Sequence, residues 1–271
     1  MDPMMMLGLM VFGLAAGILG ALFGLGGGII LVPVLTIVYG LSPSEAAAIS
    51  LVGIVATSVG AASFFIKNGV SNVRLGLFLE ISTAMGAICG ATLAIFVDGI
   101  WISLIFVSVI IYSAIRMFLN PEKDVGTSGE GSEFTYHDLK ENRDIGYNAD
   151  NRLTGSIGSY FAGLASSMTG VGGGAIKVPL MNLHMHVPMK AAAATSSYMI
   201  GITAFSGAIT YFLGGQVLLE YAAVIAVASF VGATIGSRTA TRTKNTKLQR
   251  YFSLFMFVIA AIVLMNLGGL I

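Results

Sequence analysis

Long apolar stretches alternate with short polar connections along this 271-residue chain. Eight stretches stand out, and most are close to the ~20 residues that an α-helix needs to cross a lipid bilayer. They cover residues 4–39, 46–66, 75–97, 100–119, 155–183, 191–213, 217–236 and 251–267. The pattern predicts an all-α, polytopic membrane protein.

Two of these stretches are too long for one crossing, and each contains a glycine-rich break. Residues 24–33 read GLGGGIILVP, and residues 170–179, which lie 146 positions later, read GVGGGAIKVP. Freed backbone groups survive in lipid only where protein or a water-filled cavity satisfies them. Each break predicts the tip of a helical hairpin, and we name residues 24–28 the first tip and residues 170–174 the second tip. The tip glycines are Gly24, Gly26, Gly27, Gly28, Gly170, Gly172, Gly173 and Gly174, and the predicted hinges after them are Pro33 and Pro179.

A polar segment divides the chain into two halves. Residues 120–152 contain a Gly/Ser run and a charged patch, which predict an aqueous linker between a first membrane repeat, residues 1–119, and a second, residues 153–271. The halves match at the offset of the two tips. The matched pairs are Gly17 with Gly163, Ser50 with Ser196, Thr57 with Thr203, and Gly86-x-x-x-Gly90 with Gly232-x-x-x-Gly236. Internal duplication explains them, and the last pair has the small-residue spacing that allows close helix packing.

Basic residues indicate how the halves are oriented in the membrane. They gather near residues 67–74, in the linker, at Lys190 and at residues 238–250, while the other connections and both termini contain none. Cytoplasmic connections carry the excess of Lys and Arg. If each broken stretch were a single crossing, the basic connections would lie on opposite sides of the membrane. If each forms a hairpin, which enters and leaves on the same side, all basic connections lie on the cytoplasmic side. We therefore expect a cytoplasmic linker, both termini outside, and two inverted repeats, each with a broken hairpin and three spanning helices, for about eight to ten membrane helices.

Composition agrees with this picture. With 56% hydrophobic residues, 10% charged residues and a mean hydropathy of +0.88, the chain is too apolar for one soluble core, so a bilayer must solvate much of it. A net charge of +1 gives no reason to expect nucleic acid as a partner. The single cysteine, Cys89, excludes an internal disulfide and a cysteine metal cluster.

Inverted repeats with interrupted helices in matching positions are typical of transporters whose substrate binds near the membrane midplane. Under the predicted topology the two tips approach each other. Glycine permits close approach of the backbone, and helix N-termini near Gly28 and Gly174 would offer N–H groups and the positive end of a dipole, which suit an anion. The alternative is that the glycines only allow tight turns between packed helices.

The chain resembles the TauE/SafE family of membrane permeases, the sulfite exporter family. The resemblance covers nearly the whole chain and rests on Gly24-x-Gly26-Gly27-Gly28 with Pro33, Gly170-x-Gly172-Gly173-Gly174 with Pro179, and Ala194-Thr195-Ser196-Ser197. It implies transport of a small sulfur-containing anion such as sulfite, a sulfonate or a sulfonylcarboxylate. The chain departs from the family pattern at residues 48–51, where Ala-Ile-Ser-Leu weakens the Ala-Thr-Ser signature, and in its polar linker.

Polar residues inside the apolar stretches are candidate site residues. Lys177 lies three residues after Gly174, where an anion would compensate its charge; the alternative is a lysine that snorkels to the membrane interface. Glu80 is a candidate site for a coupling proton, or it is ion-paired or interfacial. Candidate hydroxyl donors to substrate, which otherwise bond the backbone of their own helix or a neighbour, are Ser50, Thr195, Ser196 and Ser197.

No enzymatic motif is apparent in the sequence. The chain lacks a P-loop and a zincin helix, and the pair His184 and His186 is a weak metal signal, so we expect neither a bound metal nor a cofactor. Two hypotheses follow: a secondary transporter that moves an anion by alternating access, and a passive channel or membrane scaffold. The expected partners are a small anionic substrate and the lipid bilayer of the cell membrane, and a homodimer stays open.

Overall fold

A computed structural model of the protein describes residues 3–93, 99–120, 132–169 and 173–267. The described helices are α1 (Pro3–Phe23), α2 (Gly28–Pro33), α3 (Pro43–Lys67), α4 (Val73–Leu93), α5 (Gly99–Leu119), α6 (Arg152–Thr169), α7 (Gly174–Pro179), α8 (Met189–Leu213), α9 (Leu219–Arg242) and α10 (Asn245–Leu267). By length and composition, five of them can cross a bilayer: α1, α3, α4, α9 and α10. The predicted all-α, polytopic fold is confirmed, and each half contains a long helix, a short helix after the glycine break, and three further long helices.

The short helices α2 and α7 each continue directly into a π-helical turn, at Val34–Val38 and Leu180–His184. Pro33 and Pro179 stand where the α-helical and π-helical turns meet. A proline has no N–H to donate to the carbonyl four residues earlier, so the backbone ladder is interrupted at these points. The sequence analysis placed the break at the glycines but did not predict the wide turns after the prolines.

Local sequence signals also fix where the chain re-enters a helix after the first hairpin. The hydroxyl of Ser42 accepts a hydrogen bond from the amide of Glu45, and the Glu45 carboxylate accepts one from the amide of Ser42 (3.0 Å). Pro43 occupies the first helical position, where its missing N–H costs nothing. This capping box starts α3 at a defined residue.

The helices group into two compact units. Unit 1 consists of Met1–Ser71 and Ala193–Ala240, and unit 2 consists of Asn72–Ala192 and Thr241–Ile271. Unit 1 thus combines α1, α2 and α3 of the first half with most of α8 and α9 of the second half. Unit 2 combines α4 and α5 with α6, α7 and α10. Neither unit is built from one half of the chain alone.

Closely packed helices show that the two units are built in the same way. In unit 1, a Cβ on Gly17 of α1 would strike the carbonyl oxygen of Ser229 in α9. In unit 2, a Cβ on Gly163 of α6 would strike the carbonyl oxygen of Thr83 in α4. Gly17 and Gly163 are equivalent in the repeat, and so are Thr83 and Ser229. The same equivalence holds for the contacts of Gly232 with Leu14 and of Gly86 with Tyr160. Internal duplication therefore extends from the sequence to individual backbone contacts.

A β-hairpin lies within the segment that the sequence analysis predicted as a polar linker. Strand β1 (Phe134–Asp138) pairs antiparallel with β2 (Arg143–Tyr147). The hairpin is attached to unit 2, where Lys190 donates to both carboxylate oxygens of Asp138 (2.9 and 2.8 Å) and Asn245 donates to the hydroxyl of Tyr136 (3.0 Å). The buried residues of β1 are Tyr136 and Asp138. Because one of them is charged, the strand lacks the alternation of apolar and polar residues that predicts a strand.

Two inward residues of the hairpin have pKa values that are shifted away from neutral pH. Burial alone would raise the pKa of Asp138, but hydrogen bonds from Lys190 and from the backbone amides of Lys140 and Glu141 hold this pKa below its ordinary value. Burial raises the pKa of Tyr147 to about 12, although the Asn72 amide donates to its hydroxyl (2.9 Å). Asp138 and Tyr147 line a polar cavity of about 600 Å³, and none of the predicted site residues within the described ranges lines it.

Candidate functional site: two glycine tips and a buried ion pair

The first tip is a turn that only glycine readily forms. Gly24, Gly26 and Gly27 have φ values of +72°, +78° and +88°, in the left-handed region where residues with side chains are strained. A Cβ on Gly27 would lie 2.6 Å from the carbonyl oxygen of Ala16 in α1. The alternative interpretation, tight turns between packed helices, therefore accounts for these three glycines without a ligand.

Helix α8 holds the first tip through Ser196. The hydroxyl of Ser196 donates to the carbonyl oxygen of Gly24 (2.7 Å), and both residues belong to unit 1. The neighbouring Ser197 donates to the carbonyl of Ala193 in its own helix (3.0 Å). Thr195 is fully buried. Of the predicted hydroxyl ligands on α8, Ser196 thus supports the tip and Ser197 bonds its own backbone.

A buried hydroxyl lies beside the start of α2. Ser50 of α3 is 1% exposed, and a Cβ on Gly28 would lie 3.2 Å from its Oγ. Within the described ranges this hydroxyl has no hydrogen-bond partner. An unpaired buried hydroxyl is costly, so Ser50 is a candidate hydrogen-bond donor beside the first tip.

The second tip differs from the first in the backbone conformation of Gly173. Gly170 and Gly172 lie outside the described residues. Gly173 has a φ of −71°, in the right-handed region, whereas its repeat equivalent Gly27 is left-handed. The side chain of Lys177 folds back over this glycine, since a Cβ on Gly173 would lie 3.0 Å from its Cε and 3.6 Å from its Nζ. Lys177 therefore lies in contact with Gly173, at the described end of the second tip.

Lys177 forms an ion pair with Glu80 inside unit 2. Its Nζ donates to the Glu80 carboxylate at 2.8 Å, and the side chains are 1% and 6% exposed. Lys177 is thus buried beside a carboxylate, and Glu80 is ion-paired, which was one of its two interpretations. The sequence analysis named both residues but did not predict their pairing. At the equivalent positions of the repeat stand the apolar residues Leu31 and Ala226. That both charges depart from the repeat was the sequence feature that could have indicated their pairing.

Long apolar helices, two glycine breaks in matching positions and a buried ion pair at one break are the features of a membrane permease. A family model described as Sulfite exporter TauE/SafE matches residues 9–263 of the chain. The chain therefore belongs to the TauE/SafE family of membrane transporters, as its tip sequences indicated.

Individual relatives agree with this assignment. The chain is 28% identical to the probable membrane transporter protein YunE of Bacillus subtilis (strain 168), over 84% of this chain and 86% of that protein. It is 26% identical to a probable membrane transporter protein of Haemophilus influenzae, over 93% of this chain and 95% of that protein. A shorter match, 36% identical over 31% of this chain and 20% of the relative, is to Sulfite exporter TauE/SafE family protein 6 of Arabidopsis thaliana. No solved structure matches the chain significantly.

Proposed function

We propose that this protein is a secondary transporter that moves a small sulfur-containing anion across the cell membrane by alternating access, without chemical conversion of the cargo. The anion binds at the glycine tips, and sulfite, a sulfonate or a sulfonylcarboxylate is the expected class. The observation that carries this proposal is the buried ammonium of Lys177, which lies against Gly173 of the second tip. An ionisable residue inside a membrane protein marks a substrate or ion pathway by default.

The chemistry around the tips suits an oxyanion. The ammonium of Lys177 supplies a compact positive charge with three donors, and Ser50 supplies a buried hydroxyl at the first tip. Hydrogen bonds to a charged group are stronger than those between neutral groups. Sulfite and sulfonates carry several oxygens on one sulfur, so such a ligand offers acceptors to an ammonium and to a hydroxyl. The name of the family and of its Arabidopsis members supports this class.

The proposal is tested with purified protein and a panel of sodium salts: sulfite, methanesulfonate, sulfoacetate and, as controls, chloride and acetate. A cargo anion should raise the unfolding temperature in a concentration-dependent way, because a ligand that binds only the folded state stabilises it. In proteoliposomes the same anion should show saturable uptake that is stimulated by counter-flow. Flux that does not saturate would indicate a passive channel, and no effect of any sulfur anion would overturn the proposed function.

We further propose that the hairpin segment faces the cytoplasm and that the amino terminus lies outside. The distribution of basic residues supports this orientation. In a Cys89→Ala background, Thr135→Cys should react with a membrane-impermeant maleimide only after the cells are opened, because Thr135 is exposed on the hairpin. Met4→Cys, exposed near the amino terminus, should react in intact cells. The reverse labelling pattern would invert the orientation.

A further inference from the structure

The ion pair between Glu80 and Lys177 occupies a place that the other half of the repeat fills with apolar residues. At the repeat offset, Lys177 corresponds to Leu31 and Glu80 to Ala226. Leu31 is fully buried in unit 1, in an apolar cluster that includes Ile225, the neighbour of Ala226. The same position in the fold is therefore built once without charge and once with a buried ion pair.

Packing alone does not account for this difference. Removing two charges from water is expensive, and hydrophobic residues of similar volume often replace a buried ion pair with no loss of stability. The first half of this chain already contains such a replacement in Leu31. Retention of Glu80 and Lys177 beside the second tip thus points to the transport cycle.

On the basis of the transport function proposed above, we propose that Glu80 is the coupling-proton site and that the substrate anion competes with Glu80 for Lys177. An anion that binds the Lys177 ammonium draws this charge away from the Glu80 carboxylate. A buried carboxylate that loses a cation tends to take up a proton rather than remain charged. Glu80 accepts this proton from the aqueous side as the anion binds, and releases it when the anion leaves and the ion pair forms again. The site carries no net charge in either state, and one proton moves with one anion.

The geometry allows this exchange without a large movement. The Lys177 ammonium lies 2.8 Å from the Glu80 carboxylate and 3.6 Å from the place where a Cβ on Gly173 would be. An anion beside Gly173 would therefore contact the ammonium. In the proposed exchange, rotation of the flexible lysine side chain moves the ammonium from the Glu80 carboxylate to this anion.

The helices that pack around Glu80 and Lys177 carry a few other titratable groups. Helix α4 packs against α6, and α7 packs against α5 and α6. Arg152 of α6 pairs with Glu133, and Tyr160 of α6 interacts with Cys89 at the other end of α4. The remaining titratable residues of α4 and α5 are Arg74, Tyr112 and Arg116. Lys177 is the cation that is paired with Glu80.

The test measures proton uptake when an anion binds to the purified protein. Methanesulfonate stays a monoanion near neutral pH, whereas sulfite titrates there and sulfoacetate carries a second charge on its carboxylate, so methanesulfonate is the probe. Calorimetry in buffers of different ionisation enthalpy should show about one proton taken up per anion, and Kd should fall about tenfold for each unit of decreasing pH. Glu80→Gln should bind about tenfold more tightly, since no carboxylate competes, with neither proton uptake nor pH dependence.

Transport and stability complete the test. In proteoliposomes with an acidic exterior, the wild type should accumulate the sulfonate against its gradient, while Glu80→Gln should only equilibrate it. The double variant Glu80→Ala, Lys177→Leu replaces the ion pair by the apolar residue types that stand at the equivalent repeat positions, Ala226 and Leu31. It should unfold at the wild-type temperature and lose sulfonate binding. Asp138→Ala combined with Lys190→Leu removes a second ion pair that is buried among the described residues of unit 2, and should retain proton uptake.

The possible results separate the coupling proposal from the transport proposal. Sulfonate binding without proton uptake in the wild type, or proton uptake that persists in Glu80→Gln, would overturn proton coupling through Glu80 and leave the transport function standing. Absence of binding and flux for the sulfonates and for sulfite in the wild type would overturn both proposals.

Discussion

The hydroxyl of Ser196 donates a 2.7 Å hydrogen bond to the carbonyl oxygen of Gly24, which joins a helix of the second half to the glycine tip of the first half. Both residues are buried. A tip built from left-handed glycines has few side chains of its own to hold it in place, so a hydrogen bond from α8 is a main constraint on its shape.

Ser196→Ala should therefore loosen the first tip. Loss of the donor leaves the Gly24 carbonyl unsatisfied in a buried place, which costs about 1–3 kcal/mol. We expect a lower unfolding temperature and weaker binding of the best anion in the panel. Ser197→Ala is the matched control, because the Ser197 hydroxyl bonds only the backbone of its own helix in the described contacts. Equal effects of the two variants would contradict this prediction.

Lys177→Met should weaken anion binding by about 1.5–3 kcal/mol, the usual scale of hydrogen bonds to charged groups. Lys177→Arg should bind with a different affinity, because the guanidinium is planar and larger than an ammonium. Isothermal titration measures both. Lys190→Met removes a second lysine that is buried in an ion pair in the described part of unit 2, and should leave the affinity unchanged. Equal dissociation constants for the wild type and Lys177→Met would remove Lys177 from the site.

The two tips should respond differently to the same substitution. Gly27→Val should unfold or mislocalise the protein, because valine cannot readily adopt a φ of +88° and its Cβ would strike the Ala16 carbonyl. Gly173→Val keeps an allowed backbone and displaces only the flexible Lys177 side chain, so it should fold and lose affinity for the anion. Gly40→Val, at a φ of +64° with open space around it, isolates the cost of the backbone strain. Thermal unfolding and titration separate these outcomes.

Asp138 should make the stability of unit 2 sensitive to acid. Its pKa is lower in the folded protein, so its stabilising contribution is present above the unfolded pKa of about 3.9 and is lost as the pH falls through the folded value. At neutral pH, Asp138→Asn leaves Lys190 without a counter-charge and should cost about 3–5 kcal/mol. Unfolding temperatures of the variant and the wild type should converge in acid. A difference that is the same at all pH values would contradict the assignment.

Local patterns predicted the helices and the breaks, because apolar length and glycine spacing act within one segment. They also identified Lys177 and Glu80, since each is a charge in an apolar stretch. Their pairing was not predictable in this way, because the residues are 97 positions apart and meet only through helix packing. The hairpin was missed for a related reason: Asp138 is stabilised inside by Lys190, a distant residue, so its burial leaves no apolar signature. The left-handed turn of the first tip could be expected from its glycines, whereas the right-handed Gly173 could not.

The exchange of helices between the two halves has an evolutionary consequence. Gly17 in α1 is covered by α9, and Gly163 in α6 is covered by α4, so a chain with one repeat could complete neither unit. An ancestral protein of half this length would have needed a second subunit and an exchange of helices with it, as in a domain-swapped dimer. Fusion of the two copies made the exchange intramolecular. Assembly then no longer depended on the concentration of a partner, and each copy became free to change alone, as the difference between Leu31 and Lys177 at equivalent positions illustrates.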